Sequence, residues 1–434
     1  MEPEQTPSLK VQEDDRQEVV NHVPEAYKAQ VTPVKPMRRK RPLLIIAGVI
    51  LLFVLIAAVY LLFIKKDSSA PAVNEPQNNT STEPVEKPTT IQMLATGDWI
   101  AHDSVNAQAK SGDNYDYAQF LTAMKPFFAD SDINFCNQAT LAGGEEYGIS
   151  GYPVFNAPTK WISDMKGFGC NLINTGTNHT NDKGQGPITA QAEEWDKQQG
   201  VLAVVGANRS AEEQKKVRYF EKDGVKFAFL SFVTYSNSPN PNPYSLNRFD
   251  SELYEPQMKE AREKADIVIV SMRWGTEYSP GINAAQETAA QKLANLGADI
   301  VLGHGPHVLE PVKRLKGKDN RETIVWYSLG NFLNTQVEIE ALTGCVAQFD
   351  IDIATKKVTQ NMCLPFYMHY EWTAEEKAKE ELLARKNLQI LPLFNADELM
   401  AKSQLRTTVT EQMDRIRKVV NTFTEIPIQN ATDL

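Results

Sequence analysis

Between Leu43 and Ile64 the chain runs for 22 residues without a charge. At about 1.5 Å per residue this is ~33 Å of helix, enough to cross a hydrocarbon core of roughly 30 Å. A buried soluble helix rarely runs this far without a strongly polar side chain. A cleaved signal peptide would lie nearer the start, be shorter, and end in a small-residue cleavage site. Here 42 residues precede the run and Phe63-Ile64-Lys65-Lys66 closes it. The run predicts an uncleaved, single-pass anchor in the cell membrane. Arg38, Arg39, Lys40 and Arg41 stand before it, and Lys65 and Lys66 after it. By the positive-inside rule this predicts a cytoplasmic N-terminus and an extracellular C-terminal domain.

The anchor divides the rest. Residues 1–42 carry eight Lys/Arg and seven Asp/Glu with no sustained apolar periodicity, and read as a disordered cytoplasmic tail. Residues 65–90 are rich in Pro, Ser, Thr and Asn, and read as an extracellular linker. Residues 91–434 are the predicted folded domain. The net charge of −10 excludes a general nucleic-acid binder, which needs clustered Lys and Arg. Four cysteines in 434 residues exclude a disulfide-built scaffold.

Within 91–434, short β-type runs alternate with helical patterns, which predicts an α/β fold. Strands are expected at 91–96, 133–136, 172–174, 202–205, 225–232, 267–271, 300–302 and 324–328. Helices are expected at 118–128, 187–199, 256–264, 284–296, near 373–388 and at 405–421. In the last, Leu405, Val409, Met413, Ile416 and Val420 share one face, most simply a packing surface. Residues 344–353 and 357–366 form a predicted hairpin around Ala354-Thr355-Lys356. Its arms carry Cys345 and Cys363, which are expected to face each other and bond in an oxidising compartment. Cys136 and Cys170 are expected at different levels of the core, as buried free thiols.

Functional groups of α/β proteins gather in loops just after strands. Thr96-Gly97-Asp98-Trp99 puts a carboxylate at such a place, where a helix cap is the simpler reading than a metal ligand. Asn174 through Gly184 combines amide, imidazole and carboxylate groups, with Asn178 and His179 as ligand or catalytic candidates. Ser271-Met272-Arg273-Trp274-Gly275-Thr276-Glu277-Tyr278 reads on its own as a surface Arg–Glu pair and a packed Trp. Gly303-His304-Gly305-Pro306-His307 places two of the six histidines three apart among small residues, a setting that favours a metal or a phosphate-like ligand. Ser328-Leu329-Gly330-Asn331-Phe332 ends another strand and fits the same pocket. The sequence has no Walker A loop, GxGxxG, HExxH, CxxC or GxSxG.

Taken in order, Gly97-Asp98, Asn178-His179 with Asp182 and Gly184, Trp274-Gly275 with Glu277-Tyr278, Gly303-His304 with Pro306-His307, and the 328–332 segment resemble the bacterial CapA/PgsA family of capsule-synthesis proteins. The resemblance runs from about Gln92 to Phe332. It implies a calcineurin-like, metallophosphoesterase-like four-layer α/β/β/α sandwich. It also implies a strand-end pocket for one or two divalent metals. The implied role is in making, exporting or anchoring an anionic envelope polymer, typically poly-γ-glutamate, with polymer synthase subunits as partners.

The carry-over gives Asp98, Asn137, Asn178, His304 and His307 as metal ligands and His179 as a catalytic group; Arg273 is a further catalytic candidate, suited to stabilise developing negative charge on a substrate. Trp274, Glu277 and Asn331 are carried over as substrate-binding. Two positions depart from the family. Asn137-Gln138-Ala139 lacks an expected acidic group, and Arg273 stands where a His precedes Trp-Gly. A guanidinium has no lone pair to give a metal, and its fixed charge repels a dication. The expected cofactor is thus one divalent metal (Mn, Zn or Fe) or none. Arg273 then stands where a second metal would be, pairing with Asp98 or an anion, or swings out to Glu277. Two functions compete: an accessory binding protein with a degenerate metal pocket, and an active metal-dependent phosphoesterase or amidase. A wall-associated domain with an unrelated ligand is a third.

Overall fold

The computed structural model describes residues 89–433. The predicted tail, anchor and nearly all of the linker lie outside them. Among the described residues no helix is long and apolar enough to cross a membrane.

The fold is mixed α/β. The first sheet is built from β1 (Thr90–Trp99), β2 (Ile133–Gln138), β3 (Leu172–Asn174), β4 (Ala203–Val205) and, later in the chain, β11 (Asn331–Leu333), β12 (Thr343–Asp352), β13 (Lys357–Glu371) and β14 (Lys386–Pro392). Its order is β14-β13-β12-β1-β2-β3-β4, with β11 also pairing β1. The second sheet has the order β9-β10-β8-β7-β6-β5. Its strands are β5 (Arg218–Lys222), β6 (Val225–Val233), β7 (Ile267–Arg273), β8 (Ile300–His304), β9 (Val312–Lys316) and β10 (Glu322–Trp326).

β7 shows why the sheets stack. Ile267 and Ile269 enter one apolar cluster, while Val268, Val270 and Met272 enter another. Side chains alternate along a strand, so a continuous apolar run is buried on both faces. The inner cluster joins the sheets, with Phe135 of β2 edge-on to Phe229 of β6 at 5.9 Å. The outer face of the second sheet is covered by α3 (Ser251–Lys264) and α4 (Ala284–Asn295), through Met258, Ala261, Ala290 and Leu293. The outer face of the first is covered by α1 (Lys160–Phe168) and α2 (Gln185–Asp196). Trp161 and Phe168 meet Trp99 edge-on, and Trp195 donates to Gln138 Oε1 at 2.8 Å. The layers run helix, sheet, sheet, helix.

Several expectations need correction. Residues 118–128 form a short 3-10 turn, Ala118–Leu121, and a short helix, Lys125–Ala129. The helix expected to start at Pro256 begins at Ser251, because Asp250 accepts from Glu252 N and fixes the start there. The segment 373–388 holds a short helix, Ala374–Ala378, and then turns into β14, which pairs antiparallel with β13. The last helix, α5, runs Val409–Val420 and not from 405, because Thr408 caps it by accepting from Glu411 N and leaves Leu405 outside it; its remaining apolar face packs as expected, with Ile416 and Val420 buried. All four cysteines are paired. Cys345–Cys363 bonds as expected, though the register sets Cys345 against Pro365 and Cys363 against Ala347, so the bond is diagonal. Cys136 and Cys170 are bonded rather than free, with Cα atoms 5.7 Å apart. The chain leaves α1 through Gly169 (φ +133°) and returns beside β2.

Candidate functional site

The parallel strands of both sheets end at one place. Register sets Asp98, Asn137 and Asn174 side by side on β1, β2 and β3. It also sets Arg273 beside His304 on β7 and β8. At Gly97 a Cβ would sit 2.0 Å from Gly330 O, so only glycine lets the 328–331 turn close on β1, where Asp98 N donates to that carbonyl at 2.9 Å.

A polar ladder runs across the strand ends. Ser231 Oγ donates to Asn174 Oδ1, Asn174 Nδ2 to Asn137 Oδ1, and Asn137 Nδ2 to Asp98 Oδ1, each at 2.6 Å. Asp98 is buried and is no helix cap. Its other oxygen lies 3.0 Å from His307 Nδ1, which also meets Asn331 Oδ1 at 2.9 Å. Burial pushes the Asp98 carboxyl up, but the bond to His307 and the nearby positive charge outweigh it and hold it at about 2. Burial likewise pulls His307 down, yet Asp98 and Glu277 raise it to about 9. The two form a buried ion pair.

Arg273 is buried, not a surface residue. Its Nε donates to Asn178 Oδ1 at 2.9 Å, Nη2 reaches Glu277 Oε1 at 3.3 Å, and the guanidinium lies 5.1 Å from the Tyr235 ring. Gly305 makes room for it, since a Cβ there would stand 1.9 Å from Nη1. His304 is fully buried and burial pulls its imidazole down to about 4, so it is neutral. Its Nε2 meets Ser271 Oγ at 2.8 Å.

His179 sits on the rim of the same cluster. Its Nδ1 faces Asp182 Oδ2 at 2.7 Å and its Nε2 faces Asn237 Nδ2 at 3.3 Å. That sets the proton on Nδ1 and leaves Nε2 an acceptor. Asp182 also accepts from Phe155 N and Ser238 Oγ, tying three loops together. Trp274, expected on the substrate side, packs inward, donating to Tyr327 O at 2.7 Å and stacking on that ring. Asn331 is buried behind His307. Of the predicted residues, Asp98, Asn137, Asn178, His179, Arg273, Glu277, His304 and His307 converge; Trp274 faces the core.

Sequence reasoning missed Asn174, which centres the ladder, and His102, four residues beyond Asp98. Thr335 N donates to His102 Nδ1 at 3.2 Å, and burial pulls this imidazole down to about 3. The polar cluster after β3 was a signal for the first. A histidine close behind the Gly97-Asp98 strand end was a signal for the second.

The strand ends carry oxygen and imidazole donors, but Arg273, bonded to Asn178 Oδ1, sets a fixed positive charge among them, which disfavours a divalent metal beside it. Among the described residues, no group of three or more His, Cys, Asp or Glu side chains is placed to hold a metal ion.

The family model described as bacterial capsule synthesis protein PGA_cap matches residues 92–336. The chain is 32% identical to the PGA biosynthesis protein CapA of Bacillus subtilis (strain 168), over 44% of this chain and 49% of that protein. It is 26% identical to the capsule biosynthesis protein CapA of Bacillus anthracis, over 52% of this chain and 56% of that one. The chain thus spans about half the length of each relative. Among solved structures it is similar to a novel phosphatase from Mycoplasma pneumoniae (13% identity, TM-score 0.39), covering 64% of this chain and 93% of that one. It is also similar to the 5'-nucleotidase of Candida albicans SC5314 (12% identity, TM-score 0.39), covering 76% and 58%.

Proposed function

The chain belongs to the bacterial capsule synthesis protein family, and from that premise we propose that it assists the synthesis, export or anchoring of an anionic capsule polymer such as poly-γ-glutamate. In this reading it is held by the 43–64 anchor with the 91–434 domain outside the cell, beside polymer synthase subunits. Its pocket derives from a metallophosphoesterase-like sandwich and recognises an anionic group through Arg273 instead of a metal.

The observation that carries this reading is the burial of Arg273. A guanidinium held by Asn178 Oδ1 and backed by Gly305 supplies, as part of the chain, the positive charge a metal would bring. His307, charged by its pairing with Asp98, adds a second cation. Arg273 and His307 place two cations at the strand ends with Asp98 and Glu277 as their counter-charges, and an incoming carboxylate competes with Glu277 for the guanidinium. The pairing of all four cysteines supports an oxidising location.

The alternative, a metal-dependent hydrolase acting on envelope substrates, is favoured by one observation: His304 Nδ1 is buried without a hydrogen-bond partner among the described residues. Elemental mass spectrometry of the full chain, purified without chelator, separates the two readings. The binding reading expects no stoichiometric metal, and expects cells carrying Arg273→Gln to lose surface polymer. A stoichiometric metal that disappears in His304→Asn would replace it with the hydrolase.

A further inference from the structure

Glu277 is an odd neighbour for Arg273. It follows Gly275 (φ +86°) in a loop held by Tyr278 N donating to Pro306 O at 2.8 Å. One oxygen, Oε1, faces three groups at once: Arg273 Nη2 at 3.3 Å, Tyr235 OH at 3.3 Å and His307 Nε2 at 3.8 Å. A close N–H···carboxylate bond between charged groups is about 2.7–2.9 Å, so all three contacts are loose. The Glu277 side chain is 40% exposed while Arg273 is 2% exposed. Its backbone is held by that loop bond, and its side chain is partly open to water.

Beneath it, two donors are left over. Arg273 Nη1 and Asn178 Nδ2 are buried with no hydrogen-bond partner among the described residues. A buried donor without a partner costs free energy, and both belong to side chains already bonded to each other. Above it, the mouth is aromatic. Tyr278 is 53% exposed beside the His307 ring, and Tyr152, 45% exposed, is near enough to influence its hydroxyl.

We propose that Glu277 is a built-in stand-in for the polymer's carboxylate, which closes the pocket loosely until a pendant carboxylate displaces it and takes the Arg273 fork. This rests on the reading of the site as a receptor for an anionic polymer, and names the group read and the contact that competes with it. The methylenes of the polymer lie against Tyr278 and Tyr152. Glu277, turned outward, repels further anions, so each pocket takes one carboxylate.

The test is calorimetric titration of the full chain with a synthetic γ-linked glutamate decamer, at low salt. Glu277→Gln keeps the shape and removes the competing charge. It is expected to bind the decamer about tenfold more tightly than the parent. Glu260→Gln, an equal charge change on the outer helix α3, is expected to leave affinity unchanged. A decamer with its carboxylates amidated is expected to bind neither. Arg273→Gln is expected to lose binding, and because that variant empties a buried position, the Glu277→Gln comparison carries the decision. Equal affinity in the parent and Glu277→Gln, or an equal gain in Glu260→Gln, overturns the stand-in while leaving polymer binding intact. No decamer binding by any variant overturns the polymer reading itself.

Discussion

Buried titratable groups set the behaviour of this molecule residue by residue. Glu310 is buried just past the His307 loop, with Oε2 accepting from Gln286 Nε2 at 2.6 Å and Oε1 unpartnered among the described residues. Burial pushes its carboxyl up to about 8, against a smaller lowering by Gln286. Its folded value lies above its unfolded one, so stability is full below about pH 4.5 and falls as pH rises towards 8. Glu310→Gln is expected to remove that slope and to gain on the order of 1–2 kcal/mol at pH 8. Thermal melts from pH 5 to 8 check it, and parallel slopes in parent and variant would mean that Glu310 is ionised. His307 offers the second test. Its raised value gives stability that is full below about pH 6.5 and lost as pH rises through 9. In Asp98→Asn its titration, followed by NMR, is expected to move well below 9. His304 and His307 were legible in the sequence because a short polar cluster follows an apolar run, whereas Asp98 read locally as a helix cap and entered the site through the family resemblance. The depth of Arg273 was not, because burial is decided by what packs over a residue.

At the scale of elements, local pattern worked where an element's own periodicity matched its surroundings. The apolar stripe of α5 is one such case, with Ile416 and Val420 buried and Val409 and Met413 partly buried against the same core. Ile416→Ala is expected to cost about 2–4 kcal/mol in denaturant unfolding. A cost near zero would mean that this helix is not part of the folding unit. Pattern failed where a neighbouring strand decided the outcome. Residues 374–388 are rich in Glu, Lys, Ala and Leu, a helix-forming composition, yet 386–392 extends because β13 offers an unpaired edge. β11 is likewise three residues long, and is a strand because the end of β1 lies alongside it.

At the scale of the whole molecule, two covalent links tie neighbouring segments of the first sheet. The Cys136–Cys170 bond closes a separation of 34 residues, for which loop entropy suggests about 3–4 kcal/mol of stabilisation. The Cys136→Ser/Cys170→Ser double variant is expected to lose stability on that order in urea unfolding. Mass spectrometry of unreduced protein is expected to find no free thiol, and four free thiols would count against an oxidising location. By itself the sequence determined the α/β alternation, the strand-end position of each polar cluster and the family, since these are written in runs of a few residues. Tertiary structure alone decided three other things. It aligned Ser231, Asn174, Asn137 and Asp98 into one ladder across both sheets. It brought Cys170 back beside Cys136, and it buried Arg273 against Asn178 and Gly305. Each depends on the register between segments tens of residues apart. Register is settled by the packing of whole faces, which no local window of sequence contains.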